Sequence, residues 1–172
     1  MIPGNFEYHR PSSVDEVVAL MSEHGDEGRV VAGGHSLIPM MKLRLAVPSH
    51  LIDLRGLDGL KDIGEDGGAI VIGAMVTQTE ILASGLLSDK CPILGEAAAL
   101  IADPQVRNCG TLGGNVANGD PGNDMPAVMV ALNASYLLTG PGGERDRKSV
   151  VEGKSVDRGG RRILKKQQDA HR

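Results

Sequence analysis

Two diglycine steps constrain most strongly what this chain can fold into. Gly33-Gly34 follows the β-branched run Arg29-Val30-Val31-Ala32, and Gly113-Gly114 follows Thr111-Leu112. A glycine pair at the end of an apolar run lets the backbone turn sharply and lets an anion or a second backbone come close. Consecutive N–H groups in such a turn can form a nest for phosphate, with Ser36 beside the first pair and Thr111 and Asn115 flanking the second as further polar groups. Neither stretch fits G-x-x-x-x-G-K-[ST] or G-x-G-x-x-G, so the two common phosphate fingerprints do not apply. A Gly-Gly step after a strand also serves as a plain turn. Two of them in one short chain can hold the two phosphates of a dinucleotide from opposite sides.

The segments around these steps read as a mixed α/β chain. Ser13-Val14-Asp15-Glu16 is an S-x-x-E capping box, followed by Val14, Val17, Val18 and Met21 at helical spacing and by Gly25 as a stop. Short strands are expected at Arg29 to Ala32 and Leu51 to Leu54, giving a first small α/β lobe over residues 1–56. A second lobe, residues 57–145, opens with a hairpin turn at Gly64 to Gly68 and a strand at Ala69 to Ala74. Thr77 to Glu80 is another capping box, and Pro92 stands where a first helical position belongs, with Ile93, Leu94, Ala97, Ala98 and Ile101 following on one face. Asp103 to Asp124 reads as a long functional loop. Asp124 reads as the N-cap of a helix from Met125 to about Leu132. Met40 to Arg44 reads as a short helix on the first lobe.

Composition removes several function classes. The aromatic residues are Phe6, Tyr8 and Tyr136, with no Trp, too few for a stacking platform that binds single-stranded nucleic acid. Residues 1–145 carry 9 Lys+Arg against 18 Asp+Glu, which argues equally against a groove tracking phosphates with cations. The two cysteines, Cys91 and Cys109, cannot house an iron–sulfur cluster or a four-thiolate zinc site. Cys109 is expected to be a small buried hydrophobe, and Arg107 and Asn108 to be loop anchors or phosphate contacts. His9, His24, His50 and His171 show no metal-ligand spacing. The start carries no signal-peptide pattern and no apolar stretch approaches spanning length, so a cytoplasmic chain without a transmembrane segment is expected.

Residues 146–172 differ in character, with nine basic and four acidic side chains and no apolar period. They read either as a solvated basic tail or as a non-native end, because Asp146-Arg147-Lys148-Ser149 resembles the translated read-through of a sequencing adapter.

Three stretches together carry a family resemblance. Ala32-Gly33-Gly34-His35-Ser36, Ile101-Ala102-Asp103-Pro104-Gln105-Val106-Arg107-Asn108-Cys109-Gly110-Thr111-Leu112-Gly113-Gly114-Asn115 and Asn118-Gly119-Asp120-Pro121-Gly122-Asn123-Asp124-Met125-Pro126 resemble the FAD-binding medium subunits of molybdenum hydroxylases, the xanthine dehydrogenase family. The likeness spans residues 1 to about 145. It implies a two-lobed α/β flavin domain of the vanillyl-alcohol-oxidase (PCMH) type, C-terminally incomplete here, with FAD extended between the lobes. By position it implies that Ala32, Gly33, Gly34, His35 and Ser36 hold the FAD pyrophosphate, with Val30, Val31 and Leu37 as neighbours. Thr111, Leu112, Gly113, Gly114 and Asn115 would close on it from the second lobe, Ile101 would pack near the flavin, and Asp124 would bond the cofactor. FAD is expected to be non-covalent, with His35 a turn residue, although related flavin oxidases attach the ring to a histidine in a similar turn.

The same resemblance implies an electron relay with no catalytic residue on this chain. A large molybdopterin-binding partner would oxidise the substrate, and a small partner with two [2Fe-2S] clusters would pass electrons to FAD and so to an external acceptor. The assembly would be a dimer of heterotrimers, in the cytoplasm or peripheral at the inner face of the membrane. Carbon monoxide is the first expectation for the substrate of such a complex and a purine or N-heterocycle the second. Two other readings stand beside this one: a free-standing FAD-dependent oxidase of the same fold, and a non-enzymatic nucleotide-binding module. Resequencing the gene across the Arg145 codon tests the adapter reading. The frame is expected to diverge from residues 146–172, and a genomic frame continuing into the same basic residues contradicts it.

Overall fold

The computed structural model describes residues 2–120 and 122–148. Three short parallel strands open the fold: β1 (Glu7–His9), β2 (Gly28–Val31) and β3 (His50–Asp53), in the order β1-β3-β2. Parallel neighbours need a crossover, and the helices α1 (Val14–His24) and α2 (Leu37–Lys42) provide them. The Ser13 Oγ caps α1 by accepting the Glu16 N–H at 3.2 Å, and Gly25 closes it at φ 51°. The Glu16 carboxylate does not complete the expected box on Ser13; it accepts from the backbone and hydroxyl of Ser12 instead.

Register divides the sheet into two faces, because side chains alternate along each strand. Tyr8 stands beside Leu51 and Val31 beside Asp53 on one face, and His9, Ile52 and Val30 share the other. Val31, Met41 and Leu51 form a small core on the first face, with Leu37, Ile38 and Ala46 packed against it.

The rest of the described chain is built around a larger core. A hairpin, β4 (Ile63–Asp66) and β5 (Ala69–Ile72), turns through Gly67 and Gly68 at φ 55° and 83°. Two consecutive positive φ values are what a two-residue hairpin loop matched to strand twist requires. The helices α3 (Gln78–Ala83), α4 (Gly85–Lys90), α5 (Pro92–Leu100), α6 (Pro104–Cys109), α7 (Leu112–Asn118) and α8 (Asp124–Ala131) follow, then the hairpin β6 (Ser135–Gly140) and β7 (Gly143–Lys148). Thr77 and Glu80 complete the expected capping box of α3. Val76, Ile81, Leu87, Leu94, Ala98, Leu112, Met125 and Met129 make the core. Leu94 and Ala98 supply the buried face of α5, whereas Ile93, expected beside them, is exposed.

Several expectations are corrected here. The span from Asp103 to Asp124 is not one long loop, since α6 and α7 occupy most of it. Asp103 caps α6 through the Val106 N–H at 2.9 Å with Pro104 at the first helical position, and Thr111 caps α7 through the Gly114 N–H at 3.0 Å. Asp124 is the first residue of α8, and Asn123 stands at the N-cap. The short helix expected at Met40 to Arg44 lies at α2, three residues earlier. Of residues 146–172, Asp146, Arg147 and Lys148 lie in β7 and pair with Leu137, Tyr136 and Ser135. Residues 149–172, with His171, lie outside the described residues.

Asp53 anchors the C-terminal end of β3. Its carboxylate is 1% exposed and accepts from the Tyr8 hydroxyl at 2.5 Å, from the Arg55 N–H at 2.9 Å and from the Arg55 guanidinium at 2.6 Å. Burial opposes its ionisation, but the hydrogen bonds from Arg55 and Tyr8 outweigh that and hold the carboxyl below its ordinary value of 3.8. A depressed folded value means that this stabilisation is complete above 3.8 and is lost as pH falls through the lower folded value. Asp53→Asn is therefore expected to cost about 2 kcal/mol at neutral pH. Urea unfolding across a pH series is expected to show an acid-labile component below 3.8 in the wild type that the variant lacks.

Candidate functional site

The site is built where the turn after β2 meets the segment between α6 and α7. Val30 and Val31 end β2, Ala32, Gly33 and Gly34 make the turn, and Leu37 opens α2. Gly34 has φ 77°, in the left-handed region that side chains rarely adopt. Gly33 is needed for a different reason. A Cβ built on it would lie 1.9 Å from the carbonyl oxygen of Cys109 and 3.1 Å from the Gly110 Cα, so the two backbones touch. A Cβ on Gly114 would stand 3.5 Å from that of Ala32. The fold thus brings together the two diglycine steps that lie far apart in sequence.

The two steps offer different chemistry. Among the described residues, the backbone N–H groups of Gly33, Gly34, His35, Ser36 and Leu37 donate to no group of the chain; the first N–H used is that of Ile38, bonded to the Gly34 carbonyl at 2.9 Å. This leaves a contiguous row of donors at the C-terminal edge of a parallel sheet, where open α/β sheets bind ligands. Ser36 makes no cap bond, so its hydroxyl is free to join the row. His35 is exposed, and its Nδ1 lies 3.1 Å from the Gly33 carbonyl oxygen, a local bond that steadies the turn.

The second step is not the strand-to-turn arrangement expected from sequence. Thr111 makes one isolated antiparallel bridge with Thr77, and Gly113 and Gly114 then lie in the first turn of α7. Its amides are already spent. The Leu112 N–H bonds the Val76 carbonyl at 2.8 Å, that of Gly113 bonds Ala74 at 2.9 Å, and that of Asn115 bonds Thr111 at 3.0 Å. A Cβ on Gly113 would come within 2.6 Å of the Ala74 oxygen, so this glycine serves packing. The polar group left for a ligand is a side chain: the buried Asn115 Oδ1 has no partner among the described residues.

The remaining expected residues surround this junction unevenly. Ile101 is partly buried against the larger core, and its carbonyl accepts from the Arg107 guanidinium at 2.9 Å. Arg107 also reaches the carbonyl of Ala102, a residue at φ 38°, so it acts as a loop anchor. Asn108 bonds Thr79 at 2.6 Å and is likewise an anchor. Cys109 is exposed, which corrects the expectation of a buried thiol; its carbonyl, against Gly33, is what matters. The exposed Asp124 carboxylate makes no hydrogen bond among the described residues, and the neighbouring Asn123 amide donates to the Asn115 carbonyl at 3.3 Å. Sequence reasoning missed Gln78. Its side chain is buried, both amide atoms lack partners among the described residues, and its backbone N–H bonds the Gly110 carbonyl at 3.0 Å beside the junction. The first position after a cap is normally solvated, so its place in the capping box gave no signal.

A row of free backbone donors after a parallel strand, together with an orphaned buried amide oxygen next to the second glycine step, suits a domain for a phosphate-bearing nucleotide cofactor. Likeness to known proteins says which kind. The family described as "FAD binding domain in molybdopterin dehydrogenase" matches residues 4–149, and the chain belongs to that family. It is 58% identical over 145 residues to the carbon monoxide dehydrogenase medium chain of Afipia carboxidovorans, covering 84% of this chain and 50% of the relative. Carbon monoxide dehydrogenase from Hydrogenophaga pseudoflava, in a structure lacking the Mo-pyranopterin moiety, superposes at TM-score 0.85 with 52% identity, over 87% of this chain and 52% of that one. Quinoline 2-oxidoreductase from Pseudomonas putida 86 superposes at 0.84 with 36% identity over the same shares. The chain spans about half the length of these relatives.

The close approach at Gly33 generates a direct test. Gly33→Ala is expected to destabilise the fold by about 2 kcal/mol through overpacking, read as a fall in urea midpoint. Gly95→Ala meets open space within α5 and is expected to be neutral or slightly stabilising.

Proposed function

We propose that this chain is the FAD-binding, electron-relaying part of a molybdenum hydroxylase medium subunit, of the branch whose complex oxidises carbon monoxide. The observation that carries the reading is the unpaired N–H row from Gly33 to Leu37, held open by the Gly33–Cys109 contact. Backbone donors can neutralise a pyrophosphate without lysine or arginine, which suits the acidic portion before residue 146. The residues fit FAD: Ala32 to Ser36 hold the pyrophosphate, and Asn115 Oδ1, lacking a partner, accepts a hydroxyl or amine proton of the cofactor. Asp124 offers a second free acceptor. Val30, Val31 and Leu37 support the turn from behind, and Thr111, Leu112, Gly113 and Gly114 position Asn115 through their internal bonds. Ile101 packs toward the flavin end.

Bound flavin accepts electrons singly and releases them in pairs, which suits it to a relay between one-electron clusters and a two-electron acceptor. In this reading the molybdenum cofactor and two [2Fe-2S] clusters reside in a large and a small partner, and the assembly is a dimer of heterotrimers. We divide the chain into FAD-binding lobes at residues 1–56 and 57–145. Among the described residues no helix is long and apolar enough to cross a membrane, and we place the complex in the cytoplasm or against the inner face of the membrane.

Reconstitution with FAD tests the reading. The purified chain is expected to acquire a flavin absorption spectrum, and acid denaturation is expected to release all of the flavin into the supernatant, because the attachment is non-covalent. Asn115→Leu is expected to weaken FAD about tenfold, the worth of one lost hydrogen bond. No flavin uptake contradicts both the relay and the free-standing oxidase. Copurification with molybdenum and iron–sulfur partners separates those two.

A further inference from the structure

Three histidines without ligand spacing in the sequence converge in the fold. His9 is the last residue of β1, His24 lies in the final turn of α1, and His50 starts β3. One ring nitrogen of each lies within 4.8 Å of the other two, and all three side chains are partly buried. His9 Nε2 and His50 Nδ1 stand 3.1 Å apart, the His24 and His50 rings stack at 3.7 Å, and the His9 ring lies 5.3 Å from each of them. The exposed Glu7 carboxylate comes within 3.6 Å of His50 Nδ1.

We propose that His9, His24 and His50 form a binding site for a divalent transition-metal ion of the zinc class, with Glu7 or water as fourth ligand. Three neutral imidazoles suit zinc, cobalt, nickel or copper, and do not suit magnesium or calcium, which prefer oxygen. In tetrahedral zinc, with Zn–N bonds near 2.0–2.1 Å, two ligating nitrogens stand about 3.3 Å apart. The separation between His9 and His50 is already within a few tenths of that. Without a metal, this contact places one proton between two nitrogens, and the cation takes the place of that proton. The C-terminal end of α1 adds its negative partial charge beside His24.

Stacked rings present parallel lone pairs, so His24 must turn out of its stack to ligate. Gly28 packs close beside it: a Cβ there would lie 3.3 Å from the His24 Cβ. The ion would tie the first strand to the end of α1 and the start of β3. His50 begins the strand whose far end adjoins the glycine turn, so this site is separate from the cofactor junction and does not depend on the flavin reading.

The untagged full-length chain, stripped with chelator, is titrated with Co²⁺ by visible absorption and with Zn²⁺ by calorimetry. One ion per chain is expected, with intense tetrahedral Co²⁺ bands and a Tm raised by Zn²⁺. His24→Leu and His50→Gln are each expected to weaken binding by at least about tenfold, and His171→Ala to leave it unchanged. No stoichiometric uptake, or uptake that survives both substitutions, overturns the proposal. Should either variant fail to fold, the wild-type imidazole proton resonances decide: joint shifts of the three rings on adding Zn²⁺ support the site, and unmoved rings overturn it.

Discussion

The contact between Gly33 and the carbonyl of Cys109 is the constraint on which the candidate site depends. It sets one backbone against another at a distance that no side chain permits. The turn after β2 is thereby fixed against the segment between α6 and α7, and its amides are kept out of any ladder. Donors that would otherwise be satisfied inside the fold stay available for an anion. The left-handed φ of 77° at Gly34 belongs to the same arrangement, a conformation that glycine adopts without steric cost.

The structure divides labour between the two glycine steps. The first is open and donates. The second is closed: its amides bond Val76, Ala74 and Thr111, and Gly113 admits the backbone of Ala74 while Gly114 stands against Thr111 and Ala32. The second step leaves one buried side-chain acceptor, Asn115 Oδ1, without a partner among the described residues, and the Asn115 carbonyl is tied to Asn123 at the start of α8. Asp53 supports the first step from the neighbouring strand. Its bonds to Tyr8 and Arg55 pin the end of β3 alongside Val31.

Local chemistry made much of this legible. Ser13, Thr77, Pro92 and Gly25 lie at helix ends because capping and φ preference are properties of a few adjacent residues. The same signals existed at Asp103-Pro104 and at Thr111, but the glycines nearby favoured a loop reading. Packing against Ala74 overrode the low helix propensity of Gly113, and the Thr111 cap and the approach of Ala32 that of Gly114. The exposure of Cys109, the burial of Gln78 and the meeting of His9, His24 and His50 could not be read at all. Each depends on which distant backbone arrives beside it, and spacing along the chain carries no such information.

Amide-resolved NMR of the ¹⁵N-labelled chain during a titration with FAD tests the central claim most directly. The largest perturbations are expected on the amides of Gly33 to Leu37, while those of Leu112 to Asn115 stay slow to exchange with solvent throughout, because they are already bonded within the fold. Perturbations concentrated on Leu112 to Asn115, with the first turn unmoved, would contradict it.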